Sequence, residues 1–514
     1  MRVSGQQKKD LMATIETPAP LHEAVPAAPL VAEAGRTKGW KPLAIVADIA
    51  TLGTGTLLAG LFNVALVFVV PKVISVEDYG YWRMFCLYAG YVGFLHFGFA
   101  DGALLRWAGR LMAEFHHEIG PALKYLFWQH VAVLALLGLF AAVALHGPLR
   151  FVGTAVVIYA PLYNIAATLQ FALQGARIFR PVAISVVAPP ALLLGFVLLW
   201  ASRWPSGSRD VIGLYLLACC VQLGYLLAWT KPWSRGGYNI SVKLLAKNCI
   251  RRGWPIVLAN TGVSLIQYAD RLAASWAATI QNFAQYSLAA SAMALPFTAI
   301  QACSKVFFSY LAGVPTEGRK RIYGISSRVL LMAWVILLPY YFALGVFIHR
   351  FLPRYVPSLG YARVLLMGVP FLAAIQILQM SYAYLNGTQK QFLGRTVVVL
   401  GVALGVSSLV AFGVGSLWGL AAVQVAILGA WWLFNEWTLR TVTGQTMGDW
   451  MRFAGIYAWA GVSYWLTSGS ELGIAVVVGL YYLSAAVIAV VGCRDELRLI
   501  LSEITQRHEL IIER

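Results

Sequence analysis

From Leu43 onward, apolar stretches of about 20 residues recur along the chain, each long enough to cross a hydrocarbon layer of about 30 Å as a helix. A backbone in lipid must satisfy its own hydrogen bonds, and these runs lack the short alternation of barrel strands, so helix is the conformation open to them. Fourteen segments are predicted, at about 43–70, 79–100, 121–145, 151–173, 181–201, 211–229, 254–277, 284–312, 326–348, 359–385, 393–413, 416–435, 451–467 and 472–492. The fold class that follows is an all-α polytopic membrane protein. The 514 residues are 60% hydrophobic and 12% charged, against about 25% charged in a soluble domain.

A formal net charge of +18 raises nucleic acid or an anionic membrane surface as partner, and the placement of the positive residues separates the two. Of the 39 Lys and Arg, 29 fall in the amino-terminal tail and in alternate connections on its side. Six lie on the opposite side (Lys72, Arg150, Arg203, Arg209, Arg350 and Arg354), and four lie inside segments (Arg83, Arg271, Lys305 and Arg363). The positive-inside rule places the 29, with both termini, in the cytoplasm, and nucleic acid is not needed. Residues 1–42 carry Pro18, Pro20, Pro26 and Pro29 and no apolar core, and read as a disordered cytoplasmic tail.

An internal repeat divides the membrane region. FALQGARIFRP (171–181) ends the fourth segment and AYLNGTQKQFL (383–393) the tenth, setting Gln174-Gly175 against Asn386-Gly387. ISVEDYGYWRMF (74–85) likewise echoes IQNFAQYSLAA (280–290). An offset of six segments preserves orientation, so the repeats are parallel, as in some secondary transporters. Two six-helix bundles (43–229 and 254–440) are expected, joined by a basic cytoplasmic linker (230–253), with two further helices (451–492) and an amphipathic cytoplasmic tail (493–514) appended. Lys243, Lys247 and Arg251 recur every four residues in the linker. Such a stripe suits anionic lipid, and a solvated connecting helix would show the same pattern.

An Arg or Lys at the bilayer centre costs about 2.5–3.5 kcal/mol on the most lenient scale, so it usually faces protein or water. In the seventh segment Asn260, Ser264, Gln267 and Arg271 fall on one helical face. In the eighth, Ser287, Ser291, Thr298, Gln301, Lys305 and Ser309 form a polar stripe, and in the first, Asp48, Thr51, Gly55, Ala59 and Asn63 form a small and polar one. Three such faces predict a hydrated, net cationic cavity between the bundles, with Arg271, Lys305, Arg83, Asn260, Gln267, Gln301 and Ser291 as its binding groups. Interhelical hydrogen bonding would produce similar faces. Arg83 and Arg363 lie near segment ends, where snorkelling also accounts for them. Asp48, Asp101 and Asp270 are taken as the carboxylates in or at the edge of helices. Asp48 and Asp270 are candidates for proton or sodium coupling, or for neutralising a cavity cation.

Other patterns exclude more than they assign. The six Cys show no metal-ligand spacing, His116-His117 is placed in a cytoplasmic loop, and there is no Walker-type GxxxxGK[ST], so neither metal nor cofactor is expected. Gly401-x-x-x-Gly405 and Gly415-x-x-x-Gly419 read as helix packing. The 18 Trp, 24 Tyr and 25 Phe belong in part to interfacial belts, as in WWLFNEW (431–437).

VISVEDYGYWRMF at the start of the second segment, followed by GFADGALLR (98–106), resembles the Wzx-like oligosaccharide flippases of the multidrug/oligosaccharidyl-lipid/polysaccharide (MOP) exporter superfamily. YADRLAASWAATIQNFAQYSLA (268–289) is similar to that family's helix 7–8 region, with Asp270-Arg271 where an acidic-basic pair is common. The resemblance implies an alternating-access transporter in the bacterial inner membrane. Its substrate would be an undecaprenyl-diphosphate-linked repeat unit for exopolysaccharide, capsule or O-antigen. Polysaccharide polymerase and chain-length proteins would be partners, and the protein a monomer. A drug or cation exporter of the same superfamily is the alternative, although cationic drugs favour acidic cavities. A polymerase or ligase fits less well, because the outer loops are short.

Overall fold

A computed structural model describes residues 42–201, 207–232, 241–293, 314–470 and 473–492, together with Pro296, Ile300, Ser304, Phe307 and Leu311. The expected cytoplasmic tails lie outside the described residues.

Every regular element described is helical. The order is α1 (Pro42–Val73), α2 (Val76–Ala89), α3 (Phe99–Trp107), α4 (Met112–Ala144), α5 (Gly147–Gly175), α6 (Phe179–Ala201), α7 (Ser208–Thr230), α8 (Val242–Gln267), α9 (Ala269–Ala277) and α10 (Ile280–Ala292). There follow α11 (Thr316–Leu337), α12 (Tyr340–Phe351), α13 (Ser358–Leu365), α14 (Val369–Ala373), α15 (Met380–Leu385), α16 (Gln389–Leu409), α17 (Leu417–Thr443), α18 (Met447–Ser468) and α19 (Ile474–Gly492). Among the described residues nine spans are long and apolar enough to cross a membrane. The outward faces are apolar: on α4, Leu136, Leu139, Phe140 and Val143 are 70%, 64%, 60% and 68% exposed. Water would penalise such a surface and lipid does not, so this is a multi-pass membrane protein.

Several expected segments are built differently. The second is not one helix over 79–100: α2 stops at Gly90, a 3-10 turn covers Val92–His96, Phe97 and Gly98 are left-handed at φ 48° and 80°, and α3 then begins. The seventh starts earlier, at Val242, and is broken at Tyr268 between α8 and α9. Lys243, Lys247 and Arg251 therefore occupy the first turns of α8. The third starts at Met112, so His116 and His117 are helical, and His116 Nε2 lies 2.9 Å from the Thr230 carbonyl. Gly401 and Gly405 meet nothing within 4 Å and Gly415 is a left-handed cap at φ 67°, whereas a Cβ on Gly419 would lie 3.0 Å from Val410 Cγ1, so of these four glycines Gly419 alone lies in a close contact among the described residues.

The repeat is visible in the helix caps, and one register changes. Ser75 Oγ accepts from Asp78 N–H (3.0 Å) to start α2, and Thr279 Oγ1 accepts from Asn282 N–H (3.4 Å) to start α10, so VEDYGYW and IQNFAQY begin their helices with the same cap. At the other pair, Ile178 N–H donates to Leu173 O (2.8 Å) and Thr388 N–H to Ala383 O (3.0 Å), the same terminal bond in both halves. Arg177, at φ 60°, thus stands where Gly387 does, at φ 70°. Gly175 lies two residues earlier and is small for another reason, since a Cβ there would lie 3.1 Å from the Trp107 backbone.

α1 packs on α6, and α5 on α2, α4 and α7; in the second half α17 packs on α13 and α16, and α11 and α19 on α18. The halves meet at two crossings, α3 on α8 and α2 on α10. The α3/α8 crossing lies near the end of α3 that carries Arg106 and the start of α8 that carries Lys243. It brings backbone against backbone: a Cβ on Gly102 would fall 1.8 Å from Cys249 O, and one on Gly253 1.9 Å from Gly98 O. Towards the opposite face, a Cβ on Gly80 of α2 would fall 2.6 Å from Ile280 O.

Candidate functional site

Between the two crossings lies a cavity of about 400 Å³, within the range of small-molecule sites. Asn63 of α1 lines it, with Trp82, Arg83, Phe85 and Gly90 at α2, Tyr159 and Tyr163 of α5, and Tyr215 of α7; Tyr268, Arg271 and Ser291 come from the second half. There is no Asp or Glu among the described lining residues, so their formal charge is that of two guanidinium groups.

The break at Tyr268 positions the second of them. Tyr268 leaves helical geometry (φ −122°, ψ 16°), its N–H bonds Ser264 O at 3.1 Å, and its ring lies 4.4 Å from the Arg271 guanidinium carbon. Cation–π contact of this kind orients an Arg without neutralising it. Arg83 sits mid-way along α2. The Nε atoms of Arg83 and Arg271 are buried and without a hydrogen-bond partner, and neither residue enters an ion pair among the described residues. A buried charged donor without an acceptor is costly. The site is therefore poised for an anion with several acceptor oxygens.

Facing these charges is an aromatic wall. Trp82 meets Tyr215 edge-on with ring centroids 5.7 Å apart, and the Tyr159 and Tyr215 hydroxyls lie 3.4 Å from each other. Flat rings with hydroxyl tips offer apolar faces and hydrogen bonds together.

The structure brings together some of the expected residues and separates others. Arg83, Arg271 and Ser291 line the cavity, with the Ser291 hydroxyl donating to Ser287 O at 2.5 Å. Gln267 lines a neighbouring space of about 40 Å³ with Asp270, Arg271 and Gln424, room for about one water. Asn260 is exposed and is not among the described lining residues of this cavity. The break at Tyr268 ends the helical register that linked it to Arg271. Lys305, Gln301 and the side chain of Asp48 lie outside the described residues. Asp270 is buried, and its Oδ2 accepts from the Tyr286 hydroxyl at 2.5 Å while Oδ1 has no partner. On the first segment, Gly55 packs against Ala183 whereas Asn63 reaches the cavity, so that face divides. Arg363 lies over Trp465 and bonds its carbonyl, away from the cavity.

Two buried carboxylates escaped the sequence reading, which took Asp48, Asp101 and Asp270 as the full set. Glu118 accepts from Arg106 Nε (2.6 Å) and Nη2 (2.9 Å), Trp107 Nε1 (2.9 Å) and Arg110 Nη1 (3.4 Å). The expected start of the third segment, nine residues late, had left it in a loop. Glu436 accepts from the Tyr323 hydroxyl and from Gln379 Nε2 (3.1 Å). Its signal was present, a lone charge inside WWLFNEW. The tyrosine wall carried none, because aromatic residues are abundant throughout.

The fold is similar to that of a lipid II flippase, MurJ, in an inward closed conformation, with a TM-score of 0.67 and 11% identity over 87% of this chain and 99% of that one. It is also similar to an inward-facing multidrug resistance MATE family transporter of the MOP superfamily, with a TM-score of 0.52 and 14% identity over 77% and 96%. No protein-family model matches, and no curated protein matches by sequence.

Proposed function

We propose that the protein is a transporter that flips a lipid-linked oligosaccharide, an undecaprenyl-diphosphate-linked repeat unit, across the bacterial inner membrane by alternating access. The observation that carries this reading is a cavity between the two halves with unpaired Arg83 and Arg271 and no carboxylate among its described lining residues. A diphosphate supplies acceptor oxygens that match the planar donors of two guanidinium groups. Sugars next to it would lie along Trp82, Tyr159, Tyr163 and Tyr215, while the polyprenyl chain stays in lipid, which already solvates it. The likeness to a lipid II flippase supports this reading at the level of fold.

In this reading the basic face and both termini are cytoplasmic, and opening the α3/α8 crossing admits the substrate. Closing it and parting α2 from α10 releases the substrate outward. Coupling to a proton or sodium gradient or to the membrane potential would set the direction. Partners would be anionic lipids at Lys243, Lys247 and Arg251, and a polymerase and chain-length proteins that receive the product. A drug or cation exporter is favoured by the MATE likeness and opposed by the charge of the cavity.

The test is a strain lacking its own flippase. Wild-type protein is expected to restore surface polysaccharide, and Arg83→Ala and Arg271→Ala to abolish it at normal membrane abundance. Restoration by both variants would defeat the assignment, and drug resistance without polysaccharide would favour the exporter.

A further inference from the structure

The break between α2 and α3 is held by a histidine in one protonation state. Gly98 N–H donates to His96 Nδ1 at 3.0 Å in a buried setting, so that nitrogen presents its lone pair and the ring proton sits on Nε2. Nε2 lies 3.6 Å from Asp101 Oδ2, on the first turn of α3. His96 is 5% exposed. The rest of the turn is gripped by neutral groups. Gln129 Nε2 donates to Leu95 O (2.9 Å), and Asn164 Nδ2 donates to Val92 O (3.0 Å) and to His130 Nε2 (2.9 Å). His130 Nδ1 in turn lies 2.8 Å from Leu126 O, so both its nitrogens are engaged in the neutral form.

Other groups facing the pair are few. α4 contributes His130, and α5 contributes Tyr163, whose hydroxyl is within electrostatic reach of Asp101 and whose ring lines the cavity. α8 presents Cys249, Gly253 and Trp254 against Gly98 and Gly102. The turn is also strained, with Phe97, a non-glycine residue, at φ 48° beside Gly98 at φ 80°.

We propose that His96 and Asp101 form a proton-binding site that keeps the α3/α8 crossing shut while His96 is neutral and releases it when the ring takes a second proton. The proton comes from water in the cavity and bonds to the Nδ1 lone pair. That lone pair is the acceptor of Gly98 N–H, so protonation sets two donors against each other and leaves a buried amide unsatisfied. The Asp101 carboxylate, 3.6 Å from Nε2, pairs with the imidazolium, which makes the second proton acceptable in a buried place. With its lock gone, the left-handed Phe97–Gly98 turn no longer aims α3 at the Cys249–Gly253 stretch. One proton is bound on opening and given up on reclosure. A proton entering from the opposite face would thereby return the empty transporter to its basic-side-open form. The coupling role rests on the transport reading; the switch itself does not.

The test uses the full chain in lipid nanodiscs, without substrate, with spin labels at Leu105 on α3 and Leu244 on α8, both exposed, in a cysteine-free background. The wild-type label distance is expected to lengthen as the pH falls from about 7 to 4, the range in which a buried imidazole–carboxylate pair takes up its proton. His96→Asn keeps an acceptor for Gly98 N–H but cannot take the proton, and is expected to stay short throughout. Asp101→Asn removes the partner of the imidazolium, and its midpoint is expected to need about tenfold more protons or greater. His130→Gln is expected to titrate like wild type. A wild-type distance independent of pH, a His96→Asn protein that titrates like wild type, or an Asp101→Asn midpoint equal to wild type would each overturn the proposal. Should His96→Asn fail to fold, the Asp101→Asn midpoint decides. Polysaccharide assembly unaffected by loss of Arg83 and Arg271 would defeat the flippase reading and leave this result standing.

Discussion

Arg83 and Arg271 were recognisable as residues because a cation inside an apolar segment is costly and seldom accidental. Their setting was not recognisable. The helical wheel that joined Asn260 to Arg271 assumes 100° per residue without interruption, and the chain breaks that assumption at Tyr268. Glu118 shows the converse. It is 2% exposed and held by Arg106, Trp107 and Arg110 across the α3–α4 connection, an arrangement that no sequence spacing displays. Glu118→Gln removes the charge from this clamp while Arg106, a third exposed, can turn to water. The expected cost is about 1–3 kcal/mol, below that of a fully buried pair, read as a lowered thermal midpoint in detergent.

At the scale of elements, the helical and apolar character of the segments followed from hydropathy, and their interruptions did not. The second segment reads as one apolar run, yet the chain stops α2 at Gly90 and restarts α3 at Phe99, because α3 must meet α8 backbone to backbone. Sequence matching paired Gly175 with Gly387, when the caps pair Arg177 with Gly387. One glycine relieves contact with Trp107, the other relieves a left-handed backbone, and identity of letter hid the difference. Gly387 has open space around it, so Gly387→Ala is expected to cost about 1 kcal/mol from backbone strain alone, measurable by thermal unfolding. Gly102→Val is a different case. Its Cβ would overlap the Cys249 carbonyl, which no rotamer can relieve, so the α3/α8 crossing cannot close. A cysteine pair placed across that crossing is expected to cross-link in the wild-type background and to lose the cross-link with Gly102→Val.

At the scale of the whole molecule, the positive charge has two separate uses. Most of it falls, in the sequence reading, in the tails and alternate connections, where it would orient the chain. Arg83 and Arg271 line the cavity inside, with no carboxylate among the described lining residues beside them. The halves are closed upon each other at α3/α8 and towards the opposite face at α2/α10, with this charge between. A fold shared with a lipid flippase and with a multidrug transporter does not choose between substrates, and the proposed function rests instead on the sign of the cavity. The measurement that tests this most directly is leaflet exchange in proteoliposomes carrying an undecaprenyl-diphosphate oligosaccharide, compared between wild type and the Arg83→Ala/Arg271→Ala double variant. Wild type is expected to expose the glycan on both leaflets and the double variant to leave it where it began. Equal exchange by the two proteins would contradict the account.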